Sequence, residues 1–446
     1  MKSIILFLFF IQISLFFCNF VLPFKYQYPE KNKDEFLFNY FHNDLIVDTY
    51  IGSNSQFLPL QIKFRTYYTY VISKNYSDYS KIYKPDLSTS SKKISNSFMG
   101  EEEFGLASIY SDKFEIKNEK ILDFNFICSE QLSMYKHLKS SGVLGFNLAL
   151  IKEYEVNNLI IQLKEKKLIS DYYFSLIYSN DNNGKITIGK KFDENKYKQI
   201  GQSANAFEDN SFEKGWNIKM SNITLDYKNK KLDISSNINT FFYPEFMGII
   251  ADWNYISLIE KEFFNKYKKC EKKTFHLEGF AKPEENPFDP EEYSTYGDMY
   301  YFVCEEDEFS PKNFPKISFY SASLNFTFTF DYEDLFIKNE NYYYHLIISP
   351  VDSLNFYIIG KPIFKNYLLE FNYDRKIMNV YEINNSKTNK FYLLYIFLII
   401  IILAIIVYII YFKFKIFYCK KKKQASELIE DYNSSFLEQT PNKLGI

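Results

Sequence analysis

The stretch Tyr50–Ser73, YIGSNSQFLPLQIKFRTYYTYVIS, sets the architecture of the chain. Leu58, Leu60 and Ile62 alternate with other residues, the period of two that marks a strand with one buried face. A second β-rich run, Tyr67–Ile72, follows across Lys63, Phe64, Arg65 and Thr66, so the polar break falls between two strands. From Glu35 onward the same texture continues, with short apolar segments separated by polar turns and little long helical periodicity. That pattern predicts an antiparallel, all-β protein. Leu159–Leu168, with Lys164 and Lys166, suits one amphipathic helix, and Trp216–Ile234 reads as a hairpin turning around Asp226–Lys231.

The chain has 446 residues, enough for one large two-lobed domain or two smaller ones. Its net charge of −2 gives no basic excess that would point to nucleic acid. The 40 Tyr and 47 Phe are what a strand-rich fold readily accepts. Lys2 followed by the apolar run Ile4–Phe17 reads as a signal peptide over residues 1–20, and 19–33 as a short leader without clear period. Phe391–Phe412 is uncharged and long enough to cross a bilayer. Lys413, Lys415 and Lys420–Lys423 follow it, which places the tail 413–446 in the cytoplasm. A single-pass type I protein of the secretory pathway or cell surface is the expectation, its large domain lumenal or extracellular. In that compartment Cys270 and Cys304 are the natural disulfide, leaving Cys128 over. Sequons stand at Asn75, Asn222, Asn325 and Asn384.

The turn Ile51-Gly52 to Gln56 and the strand after it resemble the first active-site hairpin of the pepsin-like aspartic proteases. There an Ile-Gly-Thr-Pro-x-Gln turn leads through an alternating strand into Asp-Thr-Gly-Ser. Ungapped, the match puts Lys63-Phe64-Arg65 where that family has Asp-Thr-Gly, and Val71 on its apolar residue beyond the turn. Phe98–Ile116 resembles the flap hairpin, with Phe98 for the flap tyrosine, Gly105 for a flap glycine, Asp112 for the following Asp, and Glu101–Glu103 as a solvated tip. Ser141–Phe146 resembles the Asp-Gly-Ile-Leu-Gly-Leu strand; Phe174-Ser175, Gly184–Gly189 and Asp193 follow in family order. Phe314–Phe319, then Gly360, Phe364, Tyr367 and Phe371, resemble the later strands, and the Cys270–Cys304 spacing fits the second-lobe disulfide. The resemblance implies a two-lobed pepsin-like fold, with an N-terminal lobe over 35–201, a linker near 202–214, and a C-terminal lobe over 210–385. For the second triplet, Gly248–Phe264 gives a frame in which Ile250-Ala251-Asp252 stands for Asp-Thr-Gly; another frame centres on Ser235-Ser236-Asn237.

Aspartic proteolysis needs two carboxylates about 3 Å apart sharing one proton, and small residues that let the two backbones approach. Lys63 and Arg65 supply cations instead, with Asp252 the carboxylate that Lys63 could at most pair with. A fallback dyad of Asp48, from Ile46-Val47-Asp48-Thr49, with Asp252 would put the Ile51-Gly52 turn on the wrong side of its Asp. The four histidines lack metal-ligand spacing, and no Gly-rich phosphate loop occurs, so no metal or cofactor is expected. The leading reading is a catalytically inactive, membrane-anchored relative that binds peptide or protein between its lobes. A divergent active aspartic endopeptidase and a structural surface glycoprotein are the alternatives.

Overall fold

The structure, a computed structural model, describes residues 19–27, 36–41, 44–73, 81–95, 107–117, 119–129, 140–148, 156–179, 182–193, 197–206, 215–228, 230–277, 297–351, 356–382 and 397–414. The signal segment through residue 18, Asn75, Phe98, Glu101–Glu103, Gly105, Asn384 and the tail beyond 414 lie outside the described residues. Two compact units divide the chain, Met1–Ile383 and Asn384–Ile446.

Strands dominate the first unit, as alternation predicts. Asp44–Ile51, Gln56–Lys63, Gly142–Gly145, Tyr70–Ile72, Glu119–Ser129 and Ala107–Ile116 pair in that order, and Ala107–Ile116 returns to Asp44–Ile51 to close the ring. Leu58, Leu60 and Ile62 point into its core as the period of two requires. The second lobe holds a nine-stranded and a four-stranded sheet. Joining the lobes, six antiparallel strands run in the order Ala204–Asn205, Ile377–Glu382, Tyr367–Asn372, Tyr173–Tyr178, Asn183–Ile188 and Phe20–Gln27. Both ends of the domain therefore contribute to one sheet.

Two boundaries differ from the sequence expectation. Residues 20–27 are a strand, with Phe20, Leu22, Phe24 and Tyr26 buried, so the folded unit begins well before residue 35. The alternation was hidden because Phe20-Val21-Leu22 runs on from the upstream apolar segment and Pro23 argues against a strand. Ala204–Asn205, within the expected linker, pairs with Ile377 and Met378. The second unit contains the 18-residue helix Phe397–Phe414, exposed along its length, with Lys413 its one charged residue, and apolar and long enough to cross a membrane.

Cys270 and Cys304 face each other across paired strands and form the expected disulfide, with a Cα–Cα distance of 4.1 Å. Nearby, His345 is fully buried among the rings of Phe264, Phe314 and Phe336, and its Nε2 lies 3.1 Å from the Tyr255 hydroxyl. Burial lowers its pKa to about 3, against about 6.5 in an unfolded chain. Because the folded state holds the neutral ring, its contribution to stability is present above pH ~6.5 and is lost as pH falls toward the folded value. The buried carboxyls Glu245 and Glu370, both raised chiefly by burial, work in the opposite sense: their contribution is present below the unfolded value and is lost as pH rises through the folded one. We expect urea unfolding of the wild type to lose about 2 kcal/mol through this histidine between pH 7 and pH 5. His345→Gln removes that portion of the pH dependence; an unchanged slope in the variant contradicts the assignment.

Candidate functional site

Among the described residues, each lobe has a strand that ends beside a glycine crossed by the returning chain, and the two copies locate the site. In the first lobe Gln56–Lys63 runs parallel to Gly142–Gly145, with Lys63 opposite Gly145. In the second, Ile238–Phe242 runs parallel to Phe356–Ile359 with Phe242 opposite Ile359, so Tyr243 comes next to Gly360. After each tip the chain folds back antiparallel to the same strand: Tyr70 opposite Val143, and Ile250 opposite Ile358. Both glycines admit this crossing because they lack a Cβ. One placed on Gly145 would stand 2.4 Å from the Thr66 carbonyl oxygen, and one on Gly360 would stand 1.9 Å from that of Phe246. Thr66 and Phe246 each lie three residues past their tip, so Lys63-Phe64-Arg65 corresponds to Tyr243-Pro244-Glu245.

These two tips meet. The Phe64 N–H donates to Glu245 Oε1 at 2.9 Å, and the Arg65 guanidinium lies 6.0 Å from the centre of the Tyr243 ring. Asn147 Nδ2 donates to the Arg65 carbonyl at 2.7 Å. Phe64 is fully buried among Phe146, Phe174, Phe364 and Phe371, while Lys63 and Arg65 on either side of it remain half-exposed. Glu245 is 7% exposed and its Oε2 has no hydrogen-bond partner among the described residues. Burial pushes its carboxyl up, an effect offset in part by Lys63, the hydrogen bond from Phe64 and Arg65. Behind it, the Pro244 carbonyl lies 3.2 Å from the Tyr26 hydroxyl and 3.0 Å from that of Tyr178, both on the central sheet. Those hydroxyls are 2.5 Å apart, and burial keeps both phenols neutral.

The other candidates stand elsewhere. Ile250-Ala251-Asp252 is not the second tip; it follows Tyr243 by seven residues and leads into the helix Trp253–Glu262. Asp252 caps that helix, accepting from the Tyr255 N–H at 3.1 Å, the Tyr357 hydroxyl at 2.7 Å, Asn254 at 3.2 Å and the Ser235 hydroxyl. The alternative frame over Ser235-Ser236-Asn237 lies at the end of the strand Lys230–Ser235, before the strand that reaches the tip. Asp48 is exposed on its strand and pairs with Lys25 at 3.1 Å. Asn325 is exposed in the turn before Phe326–Phe330, whereas Asn222 is half-buried and bonded to Asp233. Sequence reasoning missed Tyr243-Pro244-Glu245 because it shares no residue with Asp-Thr-Gly. The usable signal was spacing: Tyr243, just past the strand Ile238–Phe242, stands as far before Ile250 as Lys63 before Tyr70.

A family model described as eukaryotic aspartyl protease matches residues 45–381. No curated protein matches the chain. The matched span contains both tips, both glycines and the disulfide. The crossings themselves are open to test. Gly145→Ala and Gly360→Ala should each cost about 3 kcal/mol in urea unfolding, since the atoms in the way are backbone. Gly297→Ala, whose Cβ would meet nothing closer than Met299 Cε at 3.6 Å, serves as the near-neutral control. Equal stability of all three variants contradicts the close approach.

Proposed function

The chain belongs to the eukaryotic aspartyl protease family, and we propose that within it this protein is a membrane-anchored pseudo-protease that binds peptide or protein segments between its lobes without cutting them. One observation carries the reading. At the two meeting tips the described residues offer a single carboxyl, Glu245, already engaged by the Phe64 N–H, beside Lys63 and Arg65. The protease reaction requires two carboxylates sharing a proton around a water. A cation at the first tip favours the ionised form of any neighbouring carboxyl and opposes that shared-proton state. The fallback pair gives no remedy, because Asp48 is salt-bridged on an exposed strand and Asp252 has its oxygens committed to capping a helix.

Anchoring is supported by the helix Phe397–Phe414 and the lysines at 413, 415 and 420–423, which by the positive-inside rule belong in the cytoplasm. The Cys270–Cys304 disulfide fits an oxidising lumen or exterior for the β domain. The purified full chain in detergent should make no pepstatin-sensitive cut in a mixed peptide library at acid pH, yet retain part of that library on the folded protein. Pepstatin-sensitive cleavage abolished by Asp48→Asn or Asp252→Asn overturns the reading in favour of an active endopeptidase. Neither cleavage nor retention overturns it in favour of a structural glycoprotein.

A further inference from the structure

We infer that Asn325 carries an N-linked oligosaccharide and that Asn222, which opens the same kind of motif, does not. The inference rests on the lumenal or exterior placement of the β domain proposed above. The two motifs are Asn325-Phe326-Thr327 and Asn222-Ile223-Thr224. Asn325 closes the turn between the strands Lys316–Ser321 and Phe326–Phe330 with a φ of 49°, a conformation that asparagine adopts more readily than most residues. That turn is fixed from below. Leu324 is fully buried, its carbonyl accepts the Gln202 N–H at 2.6 Å, and the Ala322 N–H donates to the Ser221 hydroxyl at 3.0 Å. The Asn325 side-chain amide is exposed and makes no hydrogen bond among the described residues, and Thr327 is exposed as well. Asn222 is placed differently, on the inner strand Asn222–Tyr227, with Lys230–Ser235 on one side and Lys316–Ser321 on the other. Its Nδ2 donates to Asp233 Oδ1 at 3.3 Å, Thr224 is 7% exposed, and Tyr320 lies directly opposite on the same face. A sugar on that nitrogen would crowd Asp233 and Tyr320, whereas one on Asn325 stands in water. The transfer forms a bond from the asparagine Nδ2 to the anomeric carbon of an oligosaccharide and breaks that carbon's bond to the diphosphate of a lipid carrier. The amide proton leaves with the lipid diphosphate.

The test is expression of the full chain through a eukaryotic secretory pathway, followed by enzymatic release of N-glycans in heavy-oxygen water. The release converts each glycosylated Asn to a mass-labelled Asp, so peptide mass spectrometry reads every motif separately. Labelling at Asn325 should exceed that at Asn222 by at least about tenfold, and Asn325→Gln should remove one glycan from the intact protein. A control motif comes from Glu340→Asn with Tyr342→Thr, at the exposed turn between the strands Phe336–Asn339 and Tyr342–His345, where residue 340 also has a positive φ, 53°. Label at that control with none at Asn325 overturns the inference. Equal label at Asn222 and Asn325 overturns the discrimination by strand position. No label at either Asn325 or the control overturns the lumenal placement, and this inference with it.

Discussion

Two backbone crossings organise the molecule. At Gly145 and again at Gly360, the chain returning from a strand tip passes so close to a neighbouring strand that a methyl group would collide with a carbonyl oxygen. Each crossing fixes where its tip ends, and the six antiparallel strands shared by both lobes, part of one 13-stranded sheet, fix how the tips approach each other. The meeting of Lys63–Arg65 with Tyr243–Glu245 follows from these constraints rather than from any chemistry the residues perform. Glycine is needed at the two crossings whatever stands at the tips.

That separation leaves the framework independent of the residues that stand at its tips. In this chain the cross-lobe contact is made by a Phe64 amide and a Glu245 carboxylate, supported by two tyrosine hydroxyls at the Pro244 carbonyl. A buried carboxylate beside two cations is a costly group to leave unpaired. Its hydrogen bond to backbone and its proximity to Lys63 and Arg65 offset that cost, so these groups act as a unit.

Much of the fold was legible in the sequence, and for physical reasons. Period-two alternation in Leu58–Ile62 reports one buried face, and the glycine-flanked runs Gly142–Gly145 and Phe356–Gly360 report close strand approach. The first tip was legible because an ungapped turn and strand lead to Lys63. The second tip was not, because Tyr243-Pro244-Glu245 keeps none of the family's residue types and Asp252 offered a nearby carboxylate. Its role is a helix cap, a use of Asp that leaves the same local trace as a displaced active-site residue. The strand Phe20–Gln27 was obscured by the apolar run in front of it, since its partner, Asn183–Ile188, is remote in sequence.

Across the lobes, the first tip meets Glu245 and not Asp252. A double-mutant cycle tests it most directly, with Lys63→Met combined in turn with Glu245→Gln and with Asp252→Asn, read by urea unfolding. Lys63 and Glu245 should couple by about 1 kcal/mol, and Lys63 and Asp252 not at all. The reverse pattern contradicts it, and returns Asp252 to the junction.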